Sequence, residues 1–319
     1  MKNVFLIILY FLLIFKGNAQ GLSSSTNDYN YTSYSSIYKN ENISGTYITS
    51  TSARESILYV TSTGITITNA NLDKMFGDLA DKDIKDSEFY GVNAAVLVNG
   101  GEVTITNSLI VTRVKGSNAV CATNSGTVTI SGATVTTSGT ASSRGLYATY
   151  GGTITASGVT ISTMWKSCAT LSTDRGGGTV SCTGCRLSTA ESGSPFIYSS
   201  GTTSIITVSG TTGTHSASQC VVIEGKNTAI VKDRSNLKCT GQGNTGDADN
   251  SGIFLYQSMS GDADVGTTTF TCTNSTFEID SYSSVYDSVP IFSITNTAAA
   301  INLEGCTFKY GSGTFLKCY

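Results

Sequence analysis

Charged, amide and aromatic side chains gather at a few places in an otherwise weakly charged chain. Asp174 and Arg175 stand in STDRGGG, Glu224 and Lys226 in VIEGKN, Tyr256 and Gln257 in LYQSMS, and Asp262 and Asp264 in GDADVG. Carboxylates, a guanidinium and an amide can pair with sugar hydroxyls, and ring faces can pack against a sugar's C–H face. Tyr150 and Tyr198 fall at similar places in the chain. The predicted ligand-binding set is therefore Tyr150, Asp174, Arg175, Tyr198, Glu224, Lys226, Tyr256 and Gln257. The stretch DADNSG, residues 247–252, puts oxygen ligands at alternate positions before a glycine, like the first half of a calcium loop. The twelfth position is Ser258 rather than Glu, so the helical calcium-loop match fails. Asp247, Asp249, Asp262 and Asp264 read either as calcium contacts or as ordinary Asp-Gly turns. Ca2+ is the one cofactor the chain suggests. The only histidine, His215, stands at an outward position, and no Ser-His-Asp set or nucleophile elbow can be assembled. No catalytic residue is predicted.

These residues need a scaffold, and a repeat supplies it. GTVTISGATVTT, GTITASGVTIST and GTVSCTGCRLST follow one another at intervals of 26 residues. Taking the first inward apolar residue of each copy gives Ile65, Val103, Val128, Ile154, Val180, Ile206, Ile230, Phe270 and Ile301. Each copy alternates apolar and Ser/Thr residues over four positions, the period of a strand with one buried face. The next position is Gly or Asn in nearly every copy, which accepts a positive φ cheaply and turns the chain. A second strand leaves that corner, and a third precedes each copy (AAVLVNGG, AVCATNSG, GLYATYGG, CVVIEGKN). Three short strands and three corners per repeat predict an all-β, right-handed parallel β-helix solenoid of about nine to ten coils, each of roughly 25 residues. Longer steps mark insertions near 73–93, 240–266 and 280–290. Residues 72–86 carry Leu72, Met75, Phe76, Leu79 and Ile84 at roughly helical spacing, consistent with a short helix or a solvated loop.

The chain begins MKNVFLIILYFLLIFKGNAQ, with Lys2, an apolar run, then Gly17 and Ala19. The run is shorter than the roughly 20 residues of a membrane span. It reads as a secretory signal over residues 1–19, followed by a cap segment 20–45 and the solenoid 46–319, with no later membrane span. With 19 basic and 22 acidic residues of 319, the chain lacks the basic patch that nucleic acid requires. Secretion makes sequons at Asn30, Asn42 and Asn274 glycosylation candidates. It also places the nine cysteines in oxidising surroundings, and an odd count leaves at least one unpaired. Cys182 and Cys272 stand where other copies carry a core Ile, so burial as small apolar residues is the favoured reading for both. Cys182 and Cys185 flank a corner, and a bridge between them is the alternative.

The repeat resembles the right-handed parallel β-helix proteins of the pectin-lyase-like superfamily. More narrowly, YGVNAAVLVNGGEVTI, TDRGGGTV, VIEGKN and YQSMSGDADVG are similar to segments of secreted β-helix proteins of gut and rumen microbes. Those are described as adhesin-like or carbohydrate-binding. The resemblance covers residues 45–319 and implies a non-catalytic protein that binds polysaccharide or a cell-surface glycan. A polysaccharide lyase or hydrolase is the enzymatic alternative, with Arg175 or Lys226 as the lyase base. A structural coat or matrix protein is the third class.

Overall fold

The computed structural model describes residues 3–7, 11–15, 33–244, 246, 248–280 and 288–319. Three eleven-stranded sheets run the length of the molecule, and within the solenoid each strand pairs in parallel with its counterpart one coil on. A representative coil is Leu146–Ala148, Gly152–Ser157 and Thr160–Thr163, one strand in each of the first, second and third sheets. The chain is a parallel β-helix of many coils.

Register follows the alternation. Ile65, Val103, Val128, Ile154, Val180 and Ile206 stack in one inward column of the second sheet. The next member is Ala229, opposite both Ile206 and Phe270, rather than Ile230. The reading of Ile230 as an inward anchor is thereby corrected. A one-residue slip reverses the faces of a strand, so Ile230 points outward and Ala229 fills the column. The corners are as the Gly/Asn pattern requires: Asn69, Asn107, Gly132, Gly158, Gly184, Gly210, Asn274 and Gly305 have φ between 46° and 63°. Where the column slips, Asp233 and Arg234 are both left-handed.

Ser35–Lys39 and Ile43–Ser44 already belong to the first and second sheets. The solenoid thus begins inside the segment read as a cap, because SIY and NIS alternate like the later copies. At the other end, Asn3–Ile7 and Phe11–Phe15 lie antiparallel along Cys306–Tyr310 and Ala298–Glu304. The first insertion forms a helix, Ile84–Tyr90, later than the spacing from Leu72 suggests. Asn71–Lys74 is instead a strand of the third sheet, because Leu72 continues the inward column of Ile48 and Ile110. Among the described residues no helix is long and apolar enough to cross a membrane.

One contiguous core fills the interior, aliphatic over most coils and aromatic towards the C-terminal end, where Phe270, Phe277, Phe292 and Phe308 contact one another. Cys182–Cys185 and Cys272–Cys306 are disulfides, the second joining neighbouring coils. Cys272 is therefore bridged as well as buried, which its partner 34 residues on made hard to see in sequence. Cys121, Cys168, Cys220 and Cys239 are buried thiols, and Cys318 is an exposed one.

The corner geometry yields a prediction. A Cβ on Gly158, at φ +59°, would meet nothing within 4 Å, so only backbone strain opposes a side chain. Gly158→Val should cost about 1–2 kcal/mol and Gly158→Asn clearly less, as read from urea unfolding midpoints.

Candidate functional site

The outer faces of the three sheets differ. In the second sheet the outward residues are mostly Thr and Ser and are partly or fully open to water, as in Thr127–Ser131. In the first sheet, between its two end strands, both faces are mostly apolar or buried. An outward column runs Leu97, Cys121, Tyr147, Ser172, Tyr198, Val222, Phe254. Farther along the strands Glu224 stands opposite Tyr256, and Asp174 follows the end of Leu171–Thr173. Insertions from above and below cover this face, and between them a cleft of about 640 Å³ remains.

One wall is the helix Ile84–Tyr90, contributing Lys85, Glu88 and Phe89. Its C-terminal Gly91, at φ +70°, lies so near the sheet that a Cβ there would meet Cys121 Sγ at 2.3 Å. Tyr147 Oη donates to the Glu88 carbonyl, Ser142 Oγ donates to Glu88 Oε1 at 2.6 Å, and the Tyr90 and Tyr150 rings stack at 5.4 Å. The stretch 240–266 is not one insertion, because Ile253–Tyr256 within it is a strand of the first sheet paired with Val221–Glu224. The other wall comes from the segments on either side, which contribute Asn244 and Asp249 before the strand and Ser260 and Asp262 after it. The later segment, 257–266, is tied to the corner after Glu224: Lys226 N donates to the Asp264 carbonyl at 2.7 Å, and Gln257 Nε2 to the Ala263 carbonyl at 3.2 Å. The floor includes Tyr198, Val222, Phe254 and Tyr256, with Arg144 and Asp174 set among them.

The charges at the floor of the cleft are engaged by neighbours, whereas Lys85 on the helix wall is exposed. Arg144, 7% exposed, approaches Asp174 Oδ2 at 3.5 Å and lies 4.6 Å from the centre of the Tyr147 ring. Arg175 pairs with Asp262 and stacks 4.4 Å from the centre of the Phe89 ring, so it touches both walls. Glu224 Oε2 accepts from Tyr198 Oη at 2.7 Å and Ser200 Oγ at 2.9 Å. Burial raises the Asp174 carboxyl to about 7; Arg144 opposes that rise and Glu224 adds to it. Burial, and then Glu224, holds the Tyr198 and Tyr256 phenols well above their ordinary value, so both are neutral donors. Several buried polar atoms have no hydrogen-bond partner: Arg144 Nη1, Arg175 Nε, Ser172 Oγ and Thr295 Oγ1. Such orphans are costly unless a ligand or water meets them.

Of the residues predicted from sequence, Asp174, Arg175, Tyr198 and Tyr256 line the cleft, with Asp249 and Asp262 on one wall. Glu224 lies among them, held by Tyr198. Three others belong elsewhere. Tyr150 sits past the strand end and stacks on the helix instead of sharing the column of Tyr198. Lys226 is exposed at the corner, its stem packed over Gly266. Gln257 is buried and supports the insertion, because its amide is the right length to span the Gln257–Ala263 loop. Asp264 likewise acts through its backbone. Asn30 and Asp247 lie outside the described residues. Asn42 and Asn274 are exposed, and Asn42 Oδ1 accepts from Thr66 N at 2.8 Å. Among the described residues no group of three or more Asp, Glu, His or Cys converges as a metal site, and Asp262 is engaged by Arg175. His215 is exposed on the third sheet. Glu88, Phe89, Arg144 and Phe254 escaped the sequence reading. A usable signal was present: VLV, VCA, LYA and IFLY are apolar on both faces, which marks a covered sheet.

No family model, curated protein or solved structure matches the chain.

The raised Asp174 carboxyl makes stability depend on pH. Below about 4 the folded and unfolded chains both hold the proton; between about 4 and 7 only the folded chain does. Its contribution is therefore full below pH 4 and lost as pH rises through 7. Asp174→Asn should flatten that part of the stability–pH profile in urea titrations; an unchanged slope would return Asp174 to the ordinary carboxylate range.

Proposed function

We propose that this is a secreted, adhesin-like protein that binds a polysaccharide or cell-surface glycan in the cleft over the first sheet. The observation that carries the reading is the lining of the cleft. Aromatic rings of Phe89, Tyr198, Phe254 and Tyr256 stand beside buried polar atoms left without partners, on Arg144, Arg175 and Thr295. A sugar offers the complement: C–H faces for rings and hydroxyls that donate and accept. The volume lies within the roughly 300–1,000 Å³ of small-ligand sites. The resemblance to pectin-lyase-like β-helix proteins supports the same substrate class. Calcium is not needed for this reading, since the acidic residues of the cleft have protein partners.

One observation favours a second, enzymatic reading. The Asp174 carboxyl, raised to about 7, holds a proton about half the time at neutrality, as a general acid must. Glu224 lies two coils away, about 10 Å by strand spacing, just beyond the roughly 6.5–9.5 Å of an inverting acid and base pair. The lyase reading has less support: Arg175 is committed to Asp262 and Phe89, and Lys226 lies outside the cleft.

Binding of the purified chain to polygalacturonate, xylan, cellulose and mannan tests the proposal. One polymer should be retained, and Tyr256→Ala or Arg175→Ala should weaken it about tenfold or more. Thr155→Ala, on the open face of the second sheet, should leave it unchanged. Retention of no polymer, or equal loss in all three variants, would defeat the cleft as a glycan site. Release of reducing ends by the wild type but not by Asp174→Asn would select hydrolysis over binding alone.

A further inference from the structure

The C-terminal end of the solenoid presents an edge whose pairing differs from the rest of the ladder. Ala298–Glu304 and Cys306–Tyr310 are the last strands of the second and third sheets with a parallel partner on only one side. Their other sides carry Phe11–Phe15 and Asn3–Ile7. These are the only antiparallel pairings among the described strands, with Leu13 opposite Ile301 and Phe5 opposite Phe308. The edge thus accepts an antiparallel strand. Its occupant is the apolar run that reads as a signal segment.

Removal of that segment leaves two strand edges bare. Native sheets blunt exposed edges with lysine, proline, bulges or covering loops. Ala298–Glu304 reads AAAINLE, with no lysine or proline, and its pairing to Thr267–Thr273 is unbroken by any bulge. Its outward residues are Ala298, Ala300, Asn302 and Glu304. Behind it the core ends in aromatic rings, with Phe315 packed on Phe292 and Phe308 and only partly buried. Continuous, unprotected hydrogen-bonding groups beside an apolar end are what a partner strand requires.

We propose that the chain freed of residues 1–19 self-associates through this edge, a second copy laying its own Ala298–Glu304 antiparallel on the first. A two-fold axis perpendicular to a strand makes it antiparallel to its copy. An axis through Ile301 sets Ala300 opposite Asn302 and Ala298 opposite Glu304 of the second copy. The pairing sense matches that of Phe11–Phe15. A closed two-fold contact also uses the edge up, whereas head-to-tail stacking of coils would continue into filaments.

The inference rests on removal of the leader, which N-terminal sequencing of the exported chain reads separately. The dimer is tested on residues 20–319 by sedimentation velocity across a concentration series. A species of twice the chain mass is expected, and the full-length chain should stay monomeric. Ala300→Lys with Asn302→Lys brings like charges face to face across the axis. That pair should raise the dissociation constant about 100-fold, with the β-sheet circular dichroism unchanged. A monomer at every concentration, open-ended filaments, or a dimer indifferent to the two lysines would each overturn the proposal.

Discussion

Parallel pairing of each strand with its counterpart one coil on is the constraint from which the rest of this molecule follows. It forces equivalent positions into columns about 4.8 Å apart. An inward column must be apolar throughout, because one coil cannot bury its own face and only the stack makes a core. The residue between two strands must turn without breaking the ladder, which the left-handed Gly and Asn corners do. Insertions are admitted only at corners. Extra residues within 73–93 and 240–266 lengthen the spacing yet leave Val103 opposite Ile65 and Phe270 opposite Ala229. The same column rule brings Asp174 within two coils of Glu224, although 50 residues of chain separate them.

How far the sequence could be read depended on which face a residue occupied. The second and third sheets alternate apolar residues with Thr and Ser, so their strands, corners and inward columns were legible. The slip at Ala229 was not, because TAIVK alternates acceptably in either register until its neighbours on both sides are paired. The first sheet was legible as strands, but its polar and aromatic residues were grouped by their place after each strand, without regard to the apolar outer face. That misplaced Tyr150, Lys226 and Gln257 in the site. Arg144 and Glu88 were invisible for another reason. Arg144 precedes a strand in ASSRGLYA and Glu88 lies on a helix 56 residues earlier, and only packing of that helix on Cys121 and Tyr147 brings them to one cleft.

Electrostatics explains why the cleft holds charges that a core would exclude. A buried arginine or carboxylate is tolerated only when paired and hydrogen-bonded. Arg144 has Asp174 and the Tyr147 face; Glu224 has the phenol of Tyr198 and the hydroxyl of Ser200. Arg144 Nη1 is still left without a partner, as is Arg175 Nε, and both residues line the space between the walls. A fully closed hydrogen-bond network would have stabilised the sheet but given a ligand nothing to bind.

The two walls are not equally dependent on each other. Each is pinned to its own corner: the helix by Gly91 against Cys121 and by Tyr147, the segment 257–266 by Asp264 and Gln257. Arg175 touches both, through the Phe89 ring and Asp262. Its contacts are partly exposed to solvent, and an ion pair in that setting is worth about 1 kcal/mol or less. That is too little to hold two insertions in place if the sheet did not already do so. Arg175 therefore sets the width of the opening rather than its existence. The cleft persists because the ladder beneath it is rigid, while its mouth is bounded by a contact weak enough for a competing hydrogen-bonding ligand to replace.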